Sequence, residues 1–258
     1  ADEPMNPASV MKLPTTLAAL DRLGPAFTWT TPLWLTGPIN AGVLEGDLVI
    51  QGRGDPKLVV ERLWLGLRKL RELGVREIRG DIVLDSRAFA LAEVDPGEFD
   101  GEAHRPYNAR PAALLLNFRA TVYSFVPEAA TGVARVGSGL RARIEPRRLR
   151  FAGSYPAACG ELAWPLADAE PASYDARLLT GLWQELGGSL RGRVREGAAP
   201  EGTPPTLQLR SPPLAEAVRD INKFSNNVMA QQLLLTLALQ ARAGTGPVDE
   251  AAAREVLG

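Results

Sequence analysis

Apolar residues recur at helical spacing in four segments of this chain, which predicts four helices. These segments are residues 7–23, 58–73, 174–186 and 228–239. The first has clear end signals, because Asn6 is a favourable N-cap, a proline occupies the first helical position and a Gly-Pro pair follows the last leucine. The last is a strongly helical run near the end of the chain.

Stretches rich in strand-forming residues lie between these helices and are separated by Gly, Pro and Asn turns. The clearest are residues 29–36, 46–52, 78–84 and 114–126. Residues 92–111 carry several prolines and are predicted to form a loop, and residues 128–211 alternate short strands with turns around one helix. The pattern therefore predicts an α/β chain whose mainly β-type middle separates an N-terminal helix from a C-terminal one.

Composition and charge are those of an ordinary globular protein. The chain has 258 residues, of which 45% are hydrophobic and 23% charged, and its formal net charge is −1. This balance gives no electrostatic reason to bind nucleic acid or an anionic membrane surface. The single cysteine, Cys159, excludes an intramolecular disulfide, and no apolar run is long enough to predict a transmembrane helix.

Ser9 and Lys12 form a Ser-x-x-Lys motif at the start of the first predicted helix. Residues i and i+3 of a helix lie on one face, so the Lys12 amine can reach the Ser9 hydroxyl. A partly buried lysine loses its proton more readily and can act as a general base. Because free backbone N–H groups in a first turn favour developing negative charge, this position suits a serine nucleophile.

Ser225 and Asn227 form a Ser-x-Asn motif in front of the helix predicted over 228–239. Chance alone gives roughly 0.14 copies of the first motif and roughly 0.24 of the second in a chain of this composition. In the alternative interpretation, each serine is an ordinary helix-capping residue. If both serines share one site, the middle of the chain is an insertion that leaves and returns at nearly the same place.

Other catalytic chemistries lack the residues that they need. His104 is the only histidine, so a Ser-His-Asp triad would have to use a residue of the proline-rich loop. No His/Cys cluster offers metal ligands, and no glycine-rich loop has a phosphate- or dinucleotide-binding pattern. The sequence therefore predicts neither a metal nor a cofactor.

Six short segments carry a resemblance to a known family. They are NPASVMKL at 6–13, LDRLGP at 20–25, GDLVI at 46–50, GDP at 54–56, GDIVLD at 80–85 and FSNNVMA at 224–230. The chain resembles the D-alanyl-D-alanine carboxypeptidase/endopeptidase family of class C low-molecular-mass penicillin-binding proteins, the penicillin-binding protein 4 type. The resemblance runs through essentially the whole chain in order and includes the long insertion between the two motifs.

This resemblance implies a role for each motif residue. Ser9 would be the acylated nucleophile and Lys12 the base that takes its proton. Ser225 would relay a proton to the leaving group, and Asn227 would hydrogen-bond the substrate amide. The middle position of the second motif is Asn226, where the family more commonly has Asp.

The resemblance also implies a substrate-recognition pair in the proline-rich loop. The family recognises the side chain of the stem peptide through an acidic residue and an aromatic residue. Local alignment places these on Glu102 and Tyr107, where Asp and Phe are more common. Each substitution keeps the chemical character of the position, while the alternative is an ordinary solvated loop.

One family motif is missing from the chain. The Lys-Thr-Gly strand, which binds the substrate carboxylate and supplies an oxyanion-hole donor, has no counterpart, and Gly244-Thr245-Gly246 is no substitute because it has no lysine. Loss of one oxyanion-hole donor lowers the rate by about 100- to 1,000-fold. We expect the natural protein to extend beyond both ends of this sequence.

The implied function is that of a serine D-Ala-D-Ala carboxypeptidase/endopeptidase that acts on peptidoglycan stem peptides and is acylated by β-lactams. The implied location is the bacterial periplasm or the wall-facing side of the cell. The implied fold is an incomplete penicillin-binding/β-lactamase-like α/β domain with β-rich domains inserted between the motifs. We assign 1–30 and 212–258 to the catalytic domain, 31–53 and 127–211 to an inserted domain, and 54–126 to a second domain nested inside it.

Two alternatives stay open from the sequence. The chain could be a non-catalytic peptidoglycan-binding module or a gene fragment, because the third motif is absent. A β-lactamase ranks third, since it needs fast deacylation and no residue is identified as a deacylation base. DNA downstream of Gly258 that encodes Lys-Thr-Gly would favour the enzyme, and a stop codon would favour the module. The sequence sets no oligomeric state.

Overall fold

The computed structural model of this chain describes residues 7–95, 98, 101, 105–128, 133–138, 160–168, 170–242 and 246–256. The helices in these ranges are α1 (Lys12–Leu23), α2 (Val60–Glu72), α3 (Pro171–Glu185), α4 (Leu214–Phe224), α5 (Asn227–Ala241) and α6 (Glu250–Glu255). The strands are β1 (Thr30–Leu35), β2 (Ile39–Asn40), β3 (Val43–Leu44), β4 (Leu48–Gln51), β5 (Glu77–Ile78), β6 (Ile82–Asp85), β7 (Ala120–Glu128), β8 (Val133–Ser138), β9 (Leu162–Ala167), β10 (Ser189–Leu190), β11 (Val194–Glu196) and β12 (Leu207–Arg210). Within this described part, no helix is both long and apolar enough to cross a membrane.

A five-stranded mixed sheet in the order β11-β6-β4-β1-β12 forms the framework of the inserted region. Strands β11, β6 and β4 run parallel, and β1 runs antiparallel to both β4 and β12. One face of the sheet is covered by α2 and α3, and Leu33, Ile50, Leu67, Leu179 and Trp183 are among the residues buried between these layers. The predicted α/β character is confirmed.

The predicted strand over 78–84 is divided in the structure. Its first part, β5, belongs to a four-stranded sheet in the order β10-β5-β3-β2, and its second part, β6, belongs to the five-stranded sheet. Gly80 lies at the division, where a Cβ atom would collide with the Asp47 side chain and the Gly46 backbone. The backbone at Gly80 therefore packs closely against Gly46 and Asp47. This contact separates β5 from β6, which the sequence pattern predicts as one strand.

Strands from both predicted inserted units share the five-stranded sheet. Strand β4 lies in the unit predicted over 31–53 and β6 in the unit predicted over 54–126, and the two strands pair in parallel through the crossover helix α2. A parallel pair needs such a crossover, and burial of its helix on the sheet stabilises all three elements together. The division of the insertion into two units stays a prediction.

The strand predicted from residue 114 begins only at Ala120. The preceding Asn117, Phe118 and Arg119 have φ angles of 47°, 55° and 46°, which form a left-handed turn. Each such non-glycine residue costs roughly 1–2 kcal/mol, so the turn requires tertiary support. Tyr174 supplies part of it, because its hydroxyl donates to the Ala120 carbonyl at 2.8 Å and accepts from Asn117 Nδ2 at 3.1 Å.

A second core joins the two ends of the chain. Helices α1, α4 and α5 pack around Trp29, and the buried side chains between them include Ala19, Leu214, Ile221 and Leu233. The outgoing and returning strands pair next to this core, with Thr30 opposite Arg210. The insertion thus leaves and returns at one place, as the position of the two motifs predicts.

Two glycines of the chain give opposite expectations for alanine substitution. At Gly52 a Cβ atom would collide with the backbone of Ala113 and Leu114, whereas Gly181 is exposed inside α3 with nothing within 4 Å of a Cβ atom. We expect Gly52→Ala to lower the free energy of unfolding by about 1–3 kcal/mol. We expect Gly181→Ala to raise it by about 1 kcal/mol through higher helix propensity. Urea unfolding of both variants beside the parent measures the two shifts, and equal effects would contradict the close approach at Gly52.

Candidate active site

Ser9 lies in a 3₁₀ helix that precedes α1. The predicted helix over 7–23 begins as this tighter turn, Ala8–Met11, and becomes α-helical at Lys12. The Val10 N–H donates to the Pro7 carbonyl at 3.0 Å, which closes the 3₁₀ turn. Because side chains at i and i+3 are eclipsed in a 3₁₀ helix, Lys12 lies directly over Ser9. Its Nζ donates to Ser9 Oγ at 3.2 Å.

Ser225 lies in the tight junction between α4 and α5. It has φ 52° and ψ 40°, a left-handed conformation, and its N–H donates to the Ile221 carbonyl. Asn226 then caps α5, because its side chain accepts a hydrogen bond from the Met229 N–H at 3.0 Å. A non-glycine residue held in this conformation is typical of functional sites. Here the junction brings Ser225 Oγ to 2.6 Å from Ser9 Oγ.

Three of the four predicted motif residues therefore form one hydrogen-bonded series. It runs from Lys12 Nζ through Ser9 Oγ to Ser225 Oγ. Both serines are exposed, whereas Lys12 is buried, with 9% of its surface accessible. The fourth residue, Asn227, is half-buried in the first turn of α5. No hydrogen-bond partner of its side chain lies among the described residues, which leaves its amide available to a bound molecule.

Burial determines the electrostatics of Lys12. It lowers the pKa of the Lys12 amine below its usual 10.5 because the charged form loses hydration. In the described ranges, no carboxylate oxygen lies within the 4.0 Å of Nζ that would define an ion pair. With no carboxylate in this part of the chain to offset the lost hydration, the neutral amine that a general base requires forms more readily than in a solvated lysine.

Polar contacts away from the motifs hold the two motif helices together. Asn222 Nδ2 donates to Thr16 Oγ1 at 3.3 Å, and Thr16 Oγ1 donates to the Lys12 carbonyl at 2.9 Å. A separate ion pair of 2.7 Å joins Lys57, in front of α2, to Asp220 on α4 and thereby attaches α4 to the inserted region. Sequence analysis missed these residues. The available signal was a buried threonine one turn after Lys12, on the same face of the helix.

Tyr107 of the predicted recognition pair lies in a segment that packs against α5, the helix of the second motif. It belongs to a 3₁₀ helix, Pro106–Asn108, that packs against α5. Its exposed fraction is 37%, so part of its ring faces solvent. The predicted partner, Glu102, lies outside the described residues. The structure therefore brings one member of the pair to the helix that begins with Asn227.

An apolar surface borders the serine pair. Val10, Leu13 and Leu17 are exposed at i, i+3 and i+7 spacing along the 3₁₀ helix and α1, and Phe224 is exposed immediately before Ser225. Single exposed apolar residues are ordinary, but these are neighbours along one helical face. Apolar side chains therefore lie close to both serines in sequence, and a cation lies among them, because Lys223 Nζ is 5.3 Å from the centroid of the Phe224 ring.

Comparison with known families covers the whole sequence. Residues 1–139 and 129–258 match the model of the D-Ala-D-Ala carboxypeptidase 3 (S13) family. The chain belongs to this family. The predicted resemblance to penicillin-binding protein 4-type carboxypeptidases is thereby confirmed.

Individual relatives agree with this membership. The D-alanyl-D-alanine carboxypeptidase of Actinomadura sp. strain R39 is 27% identical over 281 aligned residues, which cover 96% of this chain and 52% of that protein. The D-alanyl-D-alanine carboxypeptidase DacB of Haemophilus influenzae is 34% identical over 106 residues, or 41% of this chain and 22% of that protein. This chain thus spans about half the length of the Actinomadura relative.

Solved structures show the same fold. Penicillin binding protein 4 (dacB) from Haemophilus influenzae superimposes with a TM-score of 0.77 at 21% identity, covering 98% of this chain and 61% of that chain. The same protein in complex with a novel β-lactam gives a TM-score of 0.69 at 19% identity, covering 98% and 60%. The predicted penicillin-binding fold is confirmed, while the roles of the individual site residues stay predictions.

The buried amine of Lys12 gives a pH-dependent stability prediction. Its lowered pKa means that the folded protein holds this proton less tightly than the unfolded chain does, so charged Lys12 reduces stability at neutral pH. That loss disappears as the pH rises through the folded pKa toward 10.5. We therefore expect Lys12→Met to raise the melting temperature at pH 7, and the gain over the parent to shrink toward pH 10.5.

Thermal unfolding followed by circular dichroism at several pH values measures this difference. Lys69→Met is the matched control, because Lys69 is an exposed lysine on α2. The control should change the melting temperature little at any pH. A Lys12→Met variant that is less stable than the parent at pH 7 would refute the desolvation of the amine.

Proposed function

We propose that this chain carries the acylation site of a serine D-Ala-D-Ala carboxypeptidase/endopeptidase that acts on peptidoglycan stem peptides. The observation that carries the proposal is the series Lys12 Nζ, Ser9 Oγ and Ser225 Oγ, joined by contacts of 3.2 and 2.6 Å. These contacts support a base, a nucleophile and a second proton carrier arranged in that order. Family membership supports the same reaction, because the matching family model describes D-Ala-D-Ala carboxypeptidases.

The first half of the reaction forms an acyl-enzyme. Neutral Lys12 accepts the hydroxyl proton of Ser9, and Ser9 Oγ attacks the carbonyl carbon of the D-Ala-D-Ala amide. The Ser225 hydroxyl then gives its proton to the nitrogen of the leaving group, and the proton held on Lys12 replaces it through a water molecule. The C–N bond breaks, the amine departs, and the substrate stays bound to Ser9 as an ester. Asn227 hydrogen-bonds the substrate amide and holds it in line with the nucleophile.

The second half regenerates the enzyme. A water molecule gives a proton to the same polar series and attacks the ester carbonyl, which releases the shortened peptide and restores the Ser9 hydroxyl. When the leaving amine is free D-alanine the activity is that of a carboxypeptidase. When it belongs to a neighbouring stem peptide the activity is that of an endopeptidase.

β-Lactams enter the same site by the same attack. Their strained amide is opened by Ser9, but the leaving nitrogen remains part of the bound molecule and cannot diffuse away. The acyl-enzyme is then a long-lived adduct. The structural match to a β-lactam complex of penicillin binding protein 4 supports this part of the proposal through the shared fold.

Recognition of the stem peptide is assigned to Glu102 and Tyr107. A carboxylate attracts the amine at the end of a long side chain, and an aromatic ring packs against its methylene groups. Tyr107 is half-exposed beside α5, which is consistent with such a contact. Because peptidoglycan lies outside the bacterial cytoplasmic membrane, we propose a periplasmic or wall-facing location.

A non-catalytic peptidoglycan-binding module is the second candidate. This candidate concerns the 258 residues given, in which none of the four lysines is followed by Thr-Gly. Such a module would bind stem peptides without forming an ester. A β-lactamase is the third candidate and would differ by releasing the penicilloyl group rapidly.

The acylation experiment distinguishes these candidates. We expect intact-mass analysis after incubation with benzylpenicillin to show one covalent adduct on the parent and none on Ser9→Ala. Removal of the base in Lys12→Met should slow acylation by about 100- to 10,000-fold, the usual contribution of a general base. Ser225→Ala should also slow it, while Ser189→Ala, at an exposed serine of β10, should react like the parent.

The other outcomes assign the chain differently. A folded parent that binds a stem peptide but forms no adduct would establish the binding module. An adduct that disappears within minutes, with continued turnover of penicillin, would establish the β-lactamase. An adduct that persists on Ser9→Ala would refute the assignment of the nucleophile.

A further inference from the structure

Gln232 is a completely buried polar side chain on α5, with 0% of its surface exposed. Its amide is paired with the backbone of a single residue, Ala112. Nε2 donates to the Ala112 carbonyl at 2.9 Å, and Oε1 accepts from the Ala112 N–H at 3.1 Å. The side chain thus satisfies both backbone groups of Ala112 in the way that a neighbouring strand would.

The α5 turn that carries Gln232 is itself fixed by buried polar contacts. Thr236 Oγ1 donates to the Gln232 carbonyl at 2.8 Å, and Trp29 Nε1 donates to Thr236 Oγ1 at 2.9 Å. These groups have little exposure to water, so each lost contact would leave a buried polar atom without a partner. Apolar residues fill most neighbouring buried positions of α5, but an apolar residue at position 232 would leave the Ala112 N–H and carbonyl without these partners.

The segment that Gln232 holds is also held from its other side. The Gly54 N–H donates to the Ala113 carbonyl at 2.8 Å. At Gly52 only the absence of a Cβ atom lets the backbone of Ala113 and Leu114 come so close. The chain around Ala112 is therefore fixed between α5 and the loop that follows β4.

This fixed point links the helix of the second motif to the segment that carries the predicted recognition residue. Gln232 follows Asn227 by five residues on the same helix, which corresponds to a rise of about 7.5 Å. Tyr107 precedes Ala112 by five residues, in the 3₁₀ helix that packs against α5. The distance from Asn227 to Tyr107 therefore depends on where Gln232 holds Ala112.

We propose that Gln232 is a positioning residue that fixes the turn bearing Tyr107 against α5 and thereby sets the preference for the stem-peptide side chain. The proposal rests on the proposed function, since it assigns Tyr107 to that side chain. Gln232 itself lies beneath the surface and contacts the recognition segment rather than the substrate. It is predicted to affect which peptide binds and to leave the chemistry at Ser9 unchanged.

Hydrogen exchange tests the positioning without any activity. Gln232→Met keeps the volume and removes both hydrogen bonds, and Gln240→Met is the matched control at an exposed position of the same helix. We expect backbone amides in residues 105–116 to exchange about 10-fold faster in Gln232→Met, the factor that corresponds to about 1.4 kcal/mol of lost hydrogen bonding. The control should exchange like the parent.

Gln232→Glu adds a variant whose hydrogen bonding depends on pH. A protonated glutamic acid has one O–H donor and one carbonyl acceptor, as the glutamine amide does, whereas an ionised carboxylate has no donor for the Ala112 carbonyl. Protection of residues 105–116, relative to the parent at the same pH, should therefore recover as the pH falls. Gln232→Met should show no such recovery.

Competition against benzylpenicillin labelling tests the preference. The two probes are peptides that end in Lys-D-Ala-D-Ala and in Ala-D-Ala-D-Ala, and the ratio of their inhibition constants measures recognition of the long side chain. We expect Gln232→Met to reduce this ratio about 10-fold, by the same hydrogen-bond loss, while labelling by benzylpenicillin alone stays within about twofold of the parent.

The two readouts separate the possible failures. Unchanged exchange in Gln232→Met would overturn the positioning role. Faster exchange with an unchanged ratio of inhibition constants would overturn the role in preference. A folded parent that benzylpenicillin does not label would overturn the proposed function and the preference with it, while the exchange data would still decide whether Gln232 fixes the segment.

Discussion

The pairing of β1 with β12 is the constraint on which the candidate site depends. It joins the chain that leaves α1 to the chain that enters α4, and Trp29 and Ser211, 182 positions apart, are hydrogen-bonded beside it at 2.9 Å. Closing a loop becomes only slowly more difficult with length, by about 0.6 kcal/mol for each doubling. A long insertion can therefore separate the two motifs in sequence while one antiparallel pair and the three-helix core keep them together in space.

The site combines exposed hydroxyls with a sheltered amine. Ser9 and Ser225 face solvent, whereas Lys12 is surrounded by protein, and burial lowers the pKa of the amine. The same burial that favours a neutral base opposes folding at neutral pH, so reactivity and stability have opposite requirements at this residue. Around it, Asn222 and Thr16 use ordinary hydrogen bonds to hold the motif helices in register.

Local sequence predicts the parts of this site that depend on local spacing. The Ser-x-x-Lys spacing places Lys12 over Ser9 in either an α-helix or a 3₁₀ helix, so the contact is predicted although the helix type is not. The junction at Ser225 is different, because its left-handed conformation follows from how α4 and α5 pack against α1. Gln232 is also invisible to sequence analysis, since its partner, Ala112, lies 120 positions away.

The same distinction holds for the fold. Four helices and strands such as β1 and β4 follow from periodicity, whereas α4 is not among the predicted helices. Gly80 divides one predicted strand, and a left-handed turn at 117–119 delays the start of another. In both places a contact with a distant segment overrides the local preference. The α/β fold and the family could be predicted from the sequence, because the two serine motifs and the order of helices and strands match those of the family. The division of the insertion into two domains remains a prediction from the sequence pattern.

The most direct test of the central claim is whether positions 9 and 225 touch in solution. In a variant with Cys159→Ser, Ser9→Cys and Ser225→Cys, the two thiols would occupy sites whose oxygens lie 2.6 Å apart, close to the disulfide bond length of about 2.05 Å. The account predicts rapid formation of an intramolecular disulfide under mild oxidation of the folded protein, detected as the loss of two hydrogens in intact mass. Two free thiols that persist in the folded variant would contradict it.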